Sequence, residues 1–333
     1  MPRISLKNSI RNYPEASCIG IGRAPMNPTI ISIVTPSYNQ GQFIEEAIQS
    51  VMSQQGDFYI DYIIMDGGST DQSVDIIKKY ESLLVQNCDI HTKGGLKWYV
   101  KKNKDFSWNN CLGINYRWKS KKDKGQVDAI NQGLKMAQGN IFAYLNSDDV
   151  YYQNVFKEIS GTHWKGADFI YGKGVWISEK GEDILLYPTF KPTKYNFFYQ
   201  CTLCQPTVFF TRDAFCELGD FSMDYPDAFD YEYWLRALFN HKKFLYINAL
   251  LAKSRMYIEN KSLFQRRDVS EQVKALNSKY YNPSKQQPDK IKLLVSKYTV
   301  QRKTVSSVNK LQKYLGTGTR YRFWFKGSNK NEK

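Results

Sequence analysis

Ile30-Ile31-Ser32-Ile33-Val34-Thr35 is a β-branched run that stops at Pro36, and the chain then switches to a helical period, with Phe43, Ile44, Ala47, Ile48, Val51 and Met52 on one face. A run this apolar is a strand covered on both sides, and the proline at its end forces a loop. The same order recurs. Residues 59–65 read as a strand, Asp66-Gly67-Gly68 as a loop, and Ser69-Thr70-Asp71 as the N-cap region of a helix carrying Val74, Ile76, Ile77 and Tyr80. A strand near 98–100, a long polar loop through Lys124, a helix over about 127–137 and a strand over 141–145 extend the series. Repeated strand–helix units predict an α/β fold with a mainly parallel sheet and helices on both faces. Beyond residue 150 the alternation loosens, with strands expected at 169–177, 207–210 and 244–251 and an amphipathic helix around 231–239.

With 333 residues, 42% of them apolar, the chain is long enough for one large α/β domain or two ordinary ones, and a disordered or fibrous polymer is excluded. Its formal charge of +15 is uneven: residues 261–333 hold 18 of the 47 Lys/Arg but only 4 of the 32 Asp/Glu, so residues 1–260 are nearly neutral. The expected organisation is an N-terminal arm (1–27), a catalytic domain (28–260, with halves 28–150 and 151–260) and a basic helical C-terminal extension (261–333). In that extension Ile291, Leu294, Tyr298, Val305, Val308, Leu311 and Leu315 predict an amphipathic helix. No apolar run approaches the ~20 residues that cross a bilayer, and the start lacks an apolar leader core, so a cytoplasmic protein is expected. The six cysteines are scattered and read as thiols; Cys201-Thr202-Leu203-Cys204 has metal spacing but no second ligand pair. His91, His163 and His241 stand apart from any triad pattern.

In open parallel sheets ligands bind beyond the carboxyl ends of the strands. There the sequence is polar: Thr35-Pro36-Ser37-Tyr38-Asn39 after the first strand, Asp66-Gly67-Gly68-Ser69-Thr70-Asp71 after the second, and Asn146-Ser147-Asp148-Asp149 after the fourth. Asp71 reads chiefly as a helix cap. Asp148 and Asp149 end a buried strand, where adjacent carboxylates repel unless a cation or proton joins them; acidic oxygens beside a phosphate suit Mg2+ or Mn2+. Neither G-x-x-x-x-G-K-[ST] nor G-x-G-x-x-G occurs, so phosphate charge would be met by metal and side chains.

These motifs resemble those of the family-2 inverting glycosyltransferases with the GT-A fold, of the kind used in bacterial polysaccharide biosynthesis. Asn146-Ser147-Asp148-Asp149 is similar to the family's DXD element. Asp123-Lys124-Gly125-Gln126-Val127-Asp128-Ala129-Ile130-Asn131-Gln132-Gly133 with Ala137-Gln138-Gly139 is similar to the helix before it. Gln205-Pro206-Thr207-Val208-Phe209-Phe210 and Asp230-Tyr231-Glu232-Tyr233-Trp234-Leu235-Arg236 resemble the acceptor-side strand and the catalytic-base helix. The resemblance covers about residues 28–260. It implies a GT-A fold, a nucleotide-sugar donor, UDP-linked in kind, and a glycan or lipid-linked acceptor. Thr35, Pro36 and Tyr38 with Asp66 would meet the nucleoside, Gln126 would add a nucleobase contact, and Asn146 would hold ribose or a metal-bound water. Asp148 would ligate Mn2+ or Mg2+ on the diphosphate, with Asp149 beside the metal or the donor sugar. Asp230 matches the general base, with Asp227 and Glu232 as neighbouring alternatives, and Arg255 with Lys261 matches a basic loop over the diphosphate. Two departures stand out: Asn146 brings no charge to the first DXD position, and the acids at the base position are spread over 227, 230 and 232.

The basic extension, with Arg320-Tyr321-Arg322-Phe323-Trp324-Phe325-Lys326 near its end, combines cations and aromatics as interfacial anchors do, so two readings stand: a peripheral contact of 289–326 with an anionic membrane on its inner face, or a helix that packs its apolar stripe on the catalytic domain and leaves a solvated tail. A nucleic-acid binder using that charge is the competing class, but no nucleic-acid reading motif accompanies it, and no nucleic acid is expected as partner. A glycan-binding relative without catalysis is the other alternative, opposed by the presence of Asp66, Asp148 and Asp230.

Overall fold

The computed structural model describes residues 29–281 except 103, 109, 163, 165, 200 and 258–265. The N-terminal arm, Lys261 and the extension beyond 281 lie outside the described residues.

An eleven-stranded mixed sheet organises the molecule. Its centre is β1 (Thr29–Ser37), buried along nearly its whole length and flanked in parallel by β2 (Gln55–Asp66) and β6 (Ile141–Tyr144). β5 (Asn110–Ser120) runs parallel to β2, and β4 (Leu96–Lys101) and β3 (Cys88–Lys93) continue that side antiparallel. On the other side β10 (Val208–Thr211) pairs antiparallel with β6 and with β8 (Phe169–Ile177). β8 also carries β11 (Phe244–Arg255) in parallel and β9 (Asp183–Leu186) antiparallel, and the two-residue β7 (Val150–Tyr151) closes against β11.

Helices cover both faces because their apolar residues fall on one side. On one face α1 (Ile44–Met52) buries Ile44, Ala47, Ile48, Val51 and Met52, with α2 (Ser73–Asn87) and α4 (Val155–Gly161) beside it. On the other lie α3 (Gln126–Met136), α6 (Arg212–Leu218) and α7 (Phe229–Phe239), while α5 (Lys194–Tyr199) contacts α7. Gly133 lets α3 press onto β1: a Cβ there would stand 2.4 Å from Val34 Cγ1. The turn after α3 is fixed by the buried Asp61 of β2, which accepts from the Gln138 N–H at 2.8 Å, Ser32 Oγ at 2.7 Å and Asn115 Nδ2 at 2.9 Å, and pairs with Arg117. This places Asn146 directly beyond β6, in line with the ends of β1 and β2.

The sequence-based reading of the mainly parallel α/β sheet agrees with this architecture. The long polar loop expected before Lys124 is instead β5, whose Asn115, Tyr116 and Arg117 are held by partners inside the fold. At the start of the extension expected to be helical, α8 (Arg266–Tyr280) returns to α7, with Val273, Leu276 and Tyr281 in the same apolar cluster. The segment after 265 therefore begins as part of the catalytic body. Among the described residues no helix is long and apolar enough to cross a membrane.

Candidate active site

Three strand ends form the floor of one crevice. The Gly67 N–H donates to the Ser37 carbonyl at 2.8 Å, joining β2 to β1, and the Lys121 N–H donates to the Asp66 carbonyl at 2.9 Å, joining β5 to β2. Asn39, in the left-handed region at φ 50°, ties the two loops together: its N–H donates to Ser69 Oγ and its Oδ1 accepts from the Thr70 N–H. Thr35 and Pro36 are buried, with Thr35 Oγ1 3.2 Å from the Tyr62 hydroxyl, so they shape the loop from beneath. Tyr38 is 60% exposed and offers its ring to the crevice. Asp66 is buried within its own loop. Asp71 accepts from the N–H groups of Gly41 (2.8 Å) and Ser73 (2.9 Å), the capping role expected of it.

The acidic loop beyond β6 is organised by amides. Gln126 Nε2 donates to Asn146 Oδ1 at 2.7 Å; Asn146 Nδ2 lies 3.2 Å from Asp149 Oδ2 and 3.3 Å from Gln205 Oε1; Gln205 Nε2 donates to the Tyr144 carbonyl at 2.9 Å. Gln126 thus orients Asn146. Asp149 is buried and accepts from the Arg255 N–H at 2.9 Å, whereas the less buried Asp148 accepts from the Tyr257 hydroxyl at 3.1 Å. Burial raises both carboxyls above the ordinary range, and for Asp149 the neighbouring charge of Asp148 raises it further.

Arg255 sits behind this loop. Its side chain is 1% exposed, and its guanidinium donates to the carbonyls of Asp148 (2.9 Å) and Glu179 (2.6 Å), pairs with Glu46 of α1 at 2.6 Å and lies over the Phe43 ring. The expectation of a basic side chain over the diphosphate therefore differs from its placement: the cation is enclosed as a strut that braces the Asp148–Asp149 backbone. Replacing it with methionine should lower unfolding free energy by about 2–4 kcal/mol, because carbonyls and a carboxylate lose a buried charged donor. A urea midpoint unchanged from the parent protein would contradict this role.

Asp230 opens α7, and burial raises its carboxyl above the usual value against the opposing hydrogen bond from the Tyr231 N–H. Burial is the main reason that the hydroxyls of Tyr144 and Tyr187 and the thiols of Cys201 and Cys204 are pushed up; the charge of Asp230 adds to this, and that of Asp149 also acts on Tyr144 and Cys204. Tyr144, the last residue of β6, packs its ring on Phe229, the neighbour of Asp230, with centroids 5.9 Å apart, so the start of α7 lies beside the end of β6. Glu232 is not brought there: it pairs with Arg236 at 2.7 Å and accepts from the Tyr280 hydroxyl at 2.9 Å, locking α8 to α7. Asp227 is likewise bonded to Gln272 of α8. Tyr257 and Glu46, which sequence reading passed over, act on the acidic loop; the alternation of Arg255 with Tyr257 just past an expected strand was the available signal.

Residues 32–224 match the family described as Glycosyl transferase family 2. The chain belongs to that family. Its fold is GT-A, shared with TarS from S. aureus, solved as residues 1–349 with UDP-GlcNAc, at a TM-score of 0.53 and 17% identity over 74% of this chain and 65% of that one. Among curated proteins it is similar to an uncharacterized glycosyltransferase of Rickettsia conorii, 25% identical over 70% of this chain but 35% of that protein's length. A PGL/p-HBAD biosynthesis glycosyltransferase of Mycobacterium bovis is 22% identical, covering 65% of this chain and 72% of that protein. The chain thus spans about a third of the first curated relative. Asp230 and Arg255 lie beyond the stretch matched by the family.

A divalent metal is part of the chemistry expected of this family. Among the described residues no group of three or more His, Cys, Asp or Glu side chains forms a metal cage. The donors present are the Asp148 carboxylate with Asn146 and Asp149 beside it, and burial disfavours their negative charge. That set fits Mg2+ or Mn2+, which accept one or two carboxylates and complete their shells with water and substrate phosphate oxygens.

Proposed function

We propose that the protein transfers a sugar from a nucleotide diphosphate, UDP in kind, to a hydroxyl of a glycan or lipid-linked acceptor, with inversion at the anomeric carbon. The observation that carries this reading is the meeting of the end of β6, which leads into Asp148 and Asp149, with the start of α7, which carries Asp230, through the packing of the Tyr144 ring on Phe229. Tyr38 and the loop shaped by Asp66 receive the nucleoside, and Asn146, held by Gln126, meets ribose or water. A divalent cation on Asp148 would supply Lewis-acid stabilisation of the leaving diphosphate. Asp230 takes the proton from the acceptor hydroxyl, and its raised pKa makes it a stronger base than an ordinary carboxylate. Attack from Asp230's side, opposite the diphosphate, inverts the centre. The UDP-GlcNAc seen in TarS supports a UDP donor.

Calorimetric titration of UDP with and without Mn2+ tests the donor site, and release of nucleotide diphosphate from a panel of nucleotide sugars tests turnover. Metal-dependent UDP binding is expected; a protein that binds no nucleotide diphosphate under either condition ends the reading.

We further propose that the basic extension holds the enzyme at the inner face of an anionic membrane, where a lipid-linked acceptor would lie. At about 1 kcal/mol per engaged Lys or Arg, a few contacts suffice for measurable adsorption. The full chain is expected to co-sediment with phosphatidylserine vesicles at low salt and to release at high salt, and a chain cut after residue 287, which keeps α8, should not bind. Equal binding by both chains would remove the membrane from the account.

A further inference from the structure

Two carboxylates flank the nucleoside end of the crevice, and their hydrogen bonds set them apart. Asp66 is 2% exposed; its Oδ2 accepts from the N–H groups of Gly68 (3.0 Å) and Ser69 (2.9 Å) and from Ser120 Oγ (2.6 Å), and its Oδ1 accepts from Ser69 Oγ. Four hydrogen bonds, three from its own loop and one from Ser120 at the end of β5, thus commit the Asp66 carboxylate to holding that turn. Asp123, partly exposed, uses Oδ1 to accept from the Gly125 N–H at 2.8 Å, and among the described residues its Oδ2 accepts nothing. A Cβ built on Gly67 would stand 3.1 Å from Asp123 Oδ2 and 3.3 Å from Tyr38 Cδ2. Gly67 is thus the floor of a slot with the exposed Tyr38 ring on one wall and an open carboxylate oxygen on the other.

We infer that Asp123, and not Asp66, reads the nucleobase, and that this slot selects uracil. The inference rests on the nucleotide-sugar reading above. A planar base stacks on an exposed aromatic ring, and a lone carboxylate oxygen requires a donor opposite it. Uracil presents its N3–H between two carbonyl oxygens; cytosine, equal in size, presents a lone pair at N3 that the carboxylate repels. Asp66 acts differently, by fixing the turn on which Gly67 sits.

The test uses the full chain with Mn2+ and measures UDP, CDP, GDP and ADP affinities by calorimetry. Asp123→Asn keeps an oxygen for the Gly125 N–H and converts the open acceptor into an amide donor. UDP should weaken by about 10- to 100-fold while CDP does not, collapsing the preference between them. Asp66→Asn should weaken both alike and lower Tm. Gly67→Ala, which places a methyl in the slot at a backbone angle open to any residue, should weaken UDP with Tm nearly unchanged. Equal losses of UDP and CDP in Asp123→Asn, undiminished UDP binding by Gly67→Ala, or a collapsed preference in Asp66→Asn instead would each overturn the inference. A wild-type chain that favours GDP or ADP over UDP overturns the choice of uracil alone, whereas one that binds none of the four nucleotides overturns the donor reading and this inference with it.

Discussion

An Asp230→Asn enzyme should bind its donor as tightly as the parent and turn over roughly 10² to 10⁴ times more slowly. The amide keeps the size of the carboxyl and its oxygen for the Tyr231 N–H, so α7 still starts correctly. What it loses is the capacity to accept a proton from the acceptor hydroxyl. The loss therefore belongs in kcat. Burial raises the Asp230 pKa above the usual 3.8, and the base works only when ionised, so kcat in the parent should climb with pH along an acid limb displaced above that value. In Asp230→Asn this limb should vanish. Glu232→Gln gives the contrast: it breaks the Arg236 and Tyr280 contacts that hold α8, so it should lower Tm and leave the kcat profile in shape. A near-parental kcat in Asp230→Asn, with a dead Glu232→Gln of normal stability, would move the base to Glu232.

The strand ends were legible in the sequence because they obey two local rules: a β-branched run buried on both faces, then a polar loop where a ligand can enter. β1 and β6 sit where those runs lie. β5 was not, since Asn115, Arg117 and the lysines after it look like a loop to any hydropathy pattern. Their polarity is absorbed by Asp61, an acid far away in the chain, which no periodicity reveals. Arg255 failed to read for the same reason. A basic residue past a strand looks like a phosphate ligand until Glu46, early in α1, is seen to claim its guanidinium. Local spacing located the chemistry, while long-range pairing decided which charged groups stay open to a ligand and which brace the fold.

The same distinction governs Asp148 and Asp149. Asp148→Ala is expected to reduce activity by roughly 10² or more, as fits the removal of several kcal/mol of charge stabilisation at the leaving diphosphate, and to leave the metal-free fold at least as stable. The sign follows from burial. Because the folded pKa of Asp148 is raised, the unfolded carboxyl releases its proton at lower pH than the folded one, so stability falls as pH rises above the ordinary value of 3.8. Alanine removes that cost and forfeits the Tyr257 hydrogen bond and the smaller attraction of the Arg255 charge. Asp149→Ala should behave oppositely, since it strips the Arg255 N–H and Asn146 of an acceptor inside the loop, and Tm should drop. Mn2+ should raise the parent's Tm in the presence of UDP and fail to raise that of Asp148→Ala. Full activity of Asp148→Ala, or undiminished turnover by the parent in excess EDTA, would show that the carboxylate at the strand end serves neither metal nor donor. If instead Asp148→Ala is inactive yet keeps its Mn2+ response, the cation must be held elsewhere in the crevice, and Asp148 would act on the donor directly.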